Sequence, residues 1–223
     1  MAWKYIAKRT LHPMVTVLVL FFTGISAAAA DHLKPRHQRE HNHRSQALLS
    51  SYLGVGLGFG GDEVGRFTDN QGYTDSIHSG GGFLFEGGLN LSVDPYTNLR
   101  LSAGYQLDGT SRGNGSSVFD RLRFDLALLK SYGQHEFGAG VTAHTSVGYR
   151  CDITSICQGD VEFNHAVGYT LEYAIRFAGI GWNDAGRGVR LGARYTGIEY
   201  TPRLQDAEIL NGNSVTGFIG VTF

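Results

Sequence analysis

Eight stretches of about ten residues, in which apolar side chains alternate with polar or small ones, constrain this sequence more than any other feature. In the last stretch, Ser214–Phe223, the side chains of Ile219, Val221 and Phe223 share one face, and that of Thr222 lies on the other. Successive side chains of a β-strand point to opposite faces. The pattern therefore predicts eight strands, each with one apolar face.

The lengths of these stretches and of the links between them predict a membrane barrel. About ten residues is the length that a tilted transmembrane strand needs. An even number of strands can close the sheet, which lipid requires because unpaired backbone groups there are costly. We expect tight or medium links on the periplasmic side at 94–98, 130–134 and 178–188, and long polar links on the other side at 61–80, 108–117, 150–160 and 201–212.

The polar faces of the stretches carry charges of both signs, which decides between two architectures. In a soluble β-sandwich these charges would lie in water and the apolar faces would form the core. In a narrow barrel, paired charges and small residues would fill the lumen. We favour the barrel, because aromatic residues recur near the strand ends as in an interfacial girdle. These are Phe59, Phe83, Tyr105, Tyr149, Phe163, Phe177 and Phe223. The predicted lumen network comprises Glu86, Arg100, Arg121, Arg123, Asp125, Glu162, Glu172, Arg176, Arg190 and Arg194.

The first 49 residues lack the alternating pattern and divide into two segments. Residues 1–30 combine a basic start, an apolar stretch from Met14 to Ile25 and three alanines before Asp31, which predicts a cleaved secretory signal and not a membrane anchor. Residues 31–49 are predicted to form a disordered periplasmic arm. The alternative for this arm is a weak metal site, since His41 and His43 lie close together. Residues 50–223 form the predicted barrel.

The alternation over residues 50–223, the aromatic strand ends and the terminal Phe223 resemble the small OmpA/OmpX-type outer-membrane β-barrels of Gram-negative bacteria. The resemblance implies an all-β fold, an eight-stranded antiparallel up-and-down transmembrane barrel. It implies that Phe223 is the signal read by the outer-membrane assembly machinery, and that outer-membrane lipids and lipopolysaccharide surround the protein. It implies no activity, because this fold carries many functions.

Cys151 and Cys157 both lie in the long link after the fifth strand. Two cysteines so close together in a secreted protein predict one disulfide. Free thiols are the alternative. A redox pair would more often have the spacing Cys-x-x-Cys, which is absent from the sequence.

One group of residues could form a hydrolytic site. Strict alternation places His144 and Ser146 on one face of the fifth strand and Glu162 on the polar face of the sixth, which would supply a base, a nucleophile and an orienting carboxylate. The group resembles that of the lipid A 3-O-deacylase barrels. In those enzymes, however, Asn follows the His-x-Ser pair and the pair faces lipid, whereas here Val147 follows and the pair is predicted to face the lumen.

We therefore expect a structural or surface-interaction role without catalysis. The alternatives are the acyl hydrolase and a narrow channel. With 19 Lys and Arg, of which Lys4, Lys8 and Arg9 belong to the signal, against 20 Asp and Glu, the charge gives no indication of nucleic-acid binding. We expect no cofactor, no metal and a monomeric protein.

Overall fold

The computed structural model describes residues 49–68, 72, 74–112, 115–153, 157–177, 188–204 and 207–223. The predicted signal, nearly all of the predicted arm and all but the last residue of the predicted link 178–188 lie outside these residues. No helix in the described ranges is long and apolar enough to cross a membrane.

The described residues form thirteen strands. In chain order they are β1 Leu49–Gly60, β2 Glu63–Thr68, β3 Thr74–His78, β4 Gly82–Asp94, β5 Thr97–Arg112, β6 Gly115–Tyr132, β7 His135–Ile153, β8 Cys157–Glu162, β9 Ala166–Phe177, β10 Gly188–Gly197, β11 Glu199–Tyr200, β12 Leu210–Asn211 and β13 Ser214–Thr222.

Eight of these strands form a closed antiparallel ring in the order β1, β4, β5, β6, β7, β9, β10, β13. The ring closes where β13 pairs with β1 from Thr222↔Tyr52 to Ser214↔Gly60. Each of these strands therefore has two neighbours, and the sheet has no open edge. The predicted fold, an eight-stranded antiparallel up-and-down barrel, is confirmed.

The barrel wall is apolar outside and polar inside over most of its height. On β6, Phe124, Leu126 and Leu128 are exposed, whereas Arg123 and Asp125, which alternate with them, are buried. A continuous belt of exposed apolar side chains would be unfavourable in water but suits hydrocarbon. The sandwich alternative, with an apolar core between two sheets, is therefore wrong.

One end of the barrel holds both ends of the described chain, and we call the opposite end the capped end. The predicted long links there contain further strands: β2 and β3 pair with each other, β11 pairs with β12, and β8 extends the wall beside β7. The predicted link 108–117 is mostly strand, since β5 and β6 run on to Arg112 and Gly115.

The capped end contains an apolar cluster that we call the cap core. Its buried members come from six strands and their flanks: Phe67, Ile77, Phe119, Val147, Cys151, Ile153, Phe163, Ala166, Ile198 and Tyr200. Phe119 packs edge-on against Phe163 and Tyr200, with ring centroids 5.6 and 5.7 Å apart. Two aromatic residues predicted for the lipid girdle are thus placed differently: Phe163 is in the cap core and Tyr149 packs against it.

A β-bulge in β7 interrupts the alternation at the base of the cap. The register with β6 shifts between Asp120 and Leu122, and Ser146 has a φ of 50°. An extra residue in one strand reverses the facing of the side chains beyond it. His144 and Val147 are both buried, while Ser146 between them is exposed. The prediction that His144 and Ser146 share a face is therefore wrong.

Candidate functional site

Glu172 is the centre of a buried ion-pair network inside the barrel. Its carboxylate accepts hydrogen bonds from Arg100 at 3.0 Å, from Arg190 at 2.6 Å and from Nε of Arg194 at 2.8 Å. All four side chains are at least nine-tenths buried. Since a buried carboxylate needs charged partners to offset its desolvation, these three guanidinium groups hold it in the ionised form.

Two further carboxylates extend the network across the lumen. Glu86 accepts two hydrogen bonds from Arg194, at 2.8 and 2.9 Å, and a third from the Tyr52 hydroxyl at 2.7 Å. Glu136 pairs with Arg190 and lies 3.7 Å from Arg100. The paired donors of Arg194 form the planar fork that suits a carboxylate.

The remaining part of the network links β5 and β6. Arg123 donates to Asp125 at 3.2 Å and to Gln106 at 3.1 Å. Asp125 also lies 3.7 Å from Arg194, which joins this pair to the rest. Ion pairs and hydrogen bonds therefore cross the lumen between opposite walls and fill its cross-section with ordered side chains.

Eight of the ten residues predicted for the lumen network are buried inside the barrel: Glu86, Arg100, Arg121, Arg123, Asp125, Glu172, Arg190 and Arg194. The other two are placed differently. Arg176 is half-buried and donates to Ser131 at 3.1 Å. Glu162 is exposed and pairs with Arg203 at 2.6 Å.

Sequence reasoning missed Glu136 and the neutral partners Tyr52, Asn90 and Gln106. On β7, the side chain of Glu136 points to the same face as Gly138 and Gly140. A predicted fifth strand that started at His135, as β7 does, would have included it. Asn90 and Gln106 satisfy donors that the carboxylates do not reach, as where Asn90 accepts from Nε of Arg100 at 3.0 Å, whereas Tyr52 donates to Glu86.

The residues of the candidate hydrolytic site are not brought together. Nδ1 of His144 lies 2.6 Å from the Tyr200 hydroxyl inside the barrel, Ser146 faces outward, and Glu162 is engaged with Arg203. Burial raises the pKa of Tyr200, so this hydroxyl keeps its proton. The arrangement joins β7 to β11 across the top of the lumen.

The other predicted residues lie at opposite ends of the barrel. Cys151 and Cys157 form a disulfide that joins β7 to β8 in the cap, with a Cα–Cα distance of 5.8 Å. At the terminal end, the backbone of Phe223 exchanges two hydrogen bonds with Ser51, at 2.9 and 3.0 Å. Within the described residues, no group of three or more His, Cys, Asp or Glu side chains is arranged to hold a metal ion.

A closed ring of eight antiparallel strands, apolar outside and charged inside, is now established. This is the fold of the small outer-membrane β-barrels. The chain is similar in structure to Ail, the attachment invasion locus protein of Yersinia pestis, solved in complex with the heparin analogue sucrose octasulfate. The identity is 11%, the match covers 78% of this chain and 97% of that one, and the TM-score is 0.42.

Two further solved structures are similar at the same level. Neisserial surface protein A is 8% identical over 79% of this chain and 98% of its own, with a TM-score of 0.46. The outer-membrane protein AlkL, determined by solid-state NMR in DMPC bilayers, is 11% identical over 86% and 97%, with a TM-score of 0.44. In sequence, the chain matches no protein-family model and no characterised protein.

Proposed function

We propose that this protein is an outer-membrane β-barrel with a structural or surface-interaction role, whose contacts are made by the cap and not through the lumen. The observation that supports this most is the filled lumen, where Glu172 binds three arginines beneath the cap core. An eight-stranded barrel has space for little more than its own side chains. A chain of this kind serves as a membrane scaffold for what it presents outside.

The outer wall supports the proposed location. Side chains such as Leu126, Leu171 and Ile219 expose about half of their surface on the outer wall. Outer-membrane lipids and lipopolysaccharide are the surroundings that would cover this belt, and Phe223 at the terminal end would serve the assembly machinery. Because the closed ring leaves no strand edge to pair with a second copy, we propose a monomer.

With the terminal end in the periplasm, the cap would face the outside of the cell. Among the described exposed residues, the charges of the cap are mainly acidic. The basic residues are Arg66 and Arg203, and the acidic ones are Asp62, Glu63, Asp152, Asp160, Glu162, Glu199 and Glu208. Complementary charge steers encounter and selects partners. We propose that the contacts of this surface are with cationic groups.

Planar-bilayer recording tests the proposal that the lumen is not a pore. We expect the purified protein to insert without resolved conductance steps, since charged side chains paired across the lumen block it. The insertion control is the shift in gel migration between unheated and heated samples, which reports a folded barrel. Stable conductance steps from a sample that shows this shift would refute the closed lumen.

Fractionation of cells tests the location separately. We expect the protein in the outer-membrane fraction, with the unheated form migrating differently from the heated form. A soluble periplasmic protein without such a shift would contradict the proposed location.

A further inference from the structure

A β-bulge in the cap hairpin of β2 and β3 brings four polar side chains to one face. The register shifts just after Glu63, so that Glu63 lies opposite His78 and Arg66 lies opposite Ser76. Ile77, between Ser76 and His78 on β3, is buried in the cap core, so its two neighbours point away from the core. Bulges re-aim side chains in this way and are over-represented next to active sites.

Ser76 and His78 form a hydrogen-bonded pair on this face. Oγ of Ser76 lies 3.1 Å from Nε2 of His78, which is the contact that a hydroxyl nucleophile makes with its base. Nδ1 of His78 lies 3.4 Å from the carbonyl oxygen of Gly61. A carbonyl oxygen only accepts, so the neutral ring carries its proton on Nδ1, and Nε2 accepts from Ser76. This is the tautomer that a general base needs.

Contacts with the barrel wall and the cap core fix the backbone of β3 beside this pair. The N–H of His78 donates to the Asp108 carboxylate at 2.9 Å, and Oγ1 of Thr110 donates to Asp75 at 3.0 Å. Asp108 and Thr110 both belong to β5, and Ile77 packs into the cap core. A nucleophile and its base act efficiently only when they are held in position. The ends of β5 and the core supply that support.

Arg66 places positive charge beside the hydroxyl. Side chains directly opposite each other in an antiparallel pair have Cβ atoms about 4.5–5.5 Å apart, and Arg66 has this relation to Ser76. Nε and Nη2 of Arg66 donate to Glu63 at 3.1 and 2.7 Å, which holds the guanidinium on this face. This pair does not use Nη1. A cation placed where a substrate oxygen becomes negative stabilises the transition state.

We propose that Ser76 and His78 are a nucleophile–base pair that hydrolyses small carboxylic esters at the surface of the cap, in addition to the surface role. Nε2 of His78 takes the proton of Ser76 while Oγ bonds to the ester carbonyl carbon, and the carbonyl oxygen becomes negative near Arg66. When the bond to the alcohol oxygen breaks, the imidazolium protonates the leaving alcohol, and the acyl group stays on Ser76. Water then attacks the acyl carbon and gives a proton to Nε2. The acid leaves, and this proton returns to Oγ.

The exposure of the face selects the kind of ester. Ser76 is exposed and His78 is half-buried, so a substrate reaches the pair without entering the filled lumen. The Arg66 side chain is 66% exposed, and an open face of this kind offers few contacts to a long acyl chain. Small esters of acidic alcohols suit it best, because their leaving groups need little help from a general acid.

The first test is covalent labelling of the detergent-folded protein with diisopropyl fluorophosphate, in which Oγ bonds to phosphorus and fluoride leaves. Mass spectrometry of peptides should find the label on Ser76. A general base contributes about 10²–10⁴-fold, so we expect His78→Gln to slow this labelling by at least about a hundredfold. The control is Ser111→Ala, which removes another exposed serine of the cap and should keep the wild-type rate. Absence of label from Ser76 in the wild type, or an equal rate in His78→Gln, would overturn the proposal.

The second test is turnover of p-nitrophenyl acetate. We expect Ser76→Ala and His78→Gln each to lower the rate at least about tenfold, and Arg66→Gln to lower kcat more than it changes KM. The matched control is His165→Gln, because exposed imidazoles cleave this ester slowly by themselves. An equal loss in His165→Gln and His78→Gln would refute a dedicated site. The gel-migration shift of each variant reports the folded barrel separately, so a failure of the ester chemistry leaves the proposed surface role in place.

Discussion

The middle of the barrel and its cap are built from the same strands with opposite polarity. On β6, Arg123 and Asp125 face inward and Leu126 faces outward, but four residues toward the cap from Arg123 the inward side chain is Phe119, which is fully buried in an apolar cluster. On β7, His144 is inside the polar lumen and Val147 is inside the cap core.

The medium outside the wall explains the difference. In hydrocarbon, an exposed polar side chain is costly, so the polar side chains of a spanning strand turn inward and must pair with one another. Beyond the hydrocarbon, water lies outside, and the hydrophobic effect again drives apolar side chains inward. On this account, we expect the outer limit of the hydrocarbon between the levels of Ser146 and Phe119, where the polarity reverses.

The largest expected effect comes from breaking the lumen network at its centre. Glu172→Gln keeps the shape of the side chain but removes the one negative charge that Arg100, Arg190 and Arg194 all contact among the described residues. Loss of one partner of a buried ion pair costs about 3–5 kcal/mol of unfolding free energy. Urea titration of the protein in lipid vesicles, followed by the gel-migration shift, measures this cost.

The matched control is Glu162→Gln, which breaks an exposed pair with Arg203 in the cap. Exposed pairs contribute little, so we expect almost no change in the urea midpoint. If Glu172→Gln lowered the urea midpoint no more than Glu162→Gln does, the buried network would not stabilise the barrel.

A substitution in the cap core should have a similar local cost but a different readout. Phe119→Ala removes the ring that contacts Phe163 and Tyr200 and should cost the cap about 3–5 kcal/mol. Because the barrel below keeps its ion pairs, we expect faster proteolysis of the cap links with the gel-migration shift retained. The control is Phe124→Ala on the same strand, which faces outward. It should leave the cap resistant, and cap cleavage equal to that of Phe119→Ala would contradict the division into two cores.

The barrel could be predicted from sequence because lipid imposes a strict rule on each spanning strand. Leu126 and Ile219 must face outward and Arg123 and Arg194 inward, so parity alone assigns the two faces. The ring closure and most of the buried charges follow from that parity. The specific ion pairs do not, because parity does not say which side chains of different strands meet at one level of the lumen, as Arg100 of β5 and Arg190 and Arg194 of β10 do around Glu172.

The cap could not be predicted, because its polarity follows the opposite rule and no sequence signal marks the change. Strict alternation through β7 would put Val147 on the lipid face, and the bulge at Ser146 places it inside. The same continuation placed Tyr149 in the lipid girdle and Ser146 beside His144, whereas Phe163 lies in the break between β8 and β9. A single extra residue reverses every later assignment on a strand.

Removal of the disulfide should loosen the cap less than Phe119→Ala does. The bond between Cys151 and Cys157 closes a short loop, for which chain-entropy arguments give about 2 kcal/mol. We expect the double variant Cys151→Ala, Cys157→Ala to show a modest increase in cap proteolysis and an unchanged gel-migration shift. Reductant should affect the wild type in the same way and have no effect on the double variant. Loss of the folded barrel in either case would mean that cap and barrel fold as one unit.

The smallest expected effect concerns the residue at which the two regions meet. Ser146 has a φ of 50°, a conformation that costs a residue with a Cβ about 1–2 kcal/mol and costs glycine almost nothing. Glycine also gains freedom in the unfolded chain, which offsets part of this gain. We therefore expect Ser146→Gly to raise the unfolding free energy slightly, by about 0.5–1 kcal/mol, and Ser146→Val to lower it by more. If Ser146→Val were as stable as Ser146→Gly, residue 146 would not need the left-handed conformation. The bulge would then not explain why Val147 faces inward.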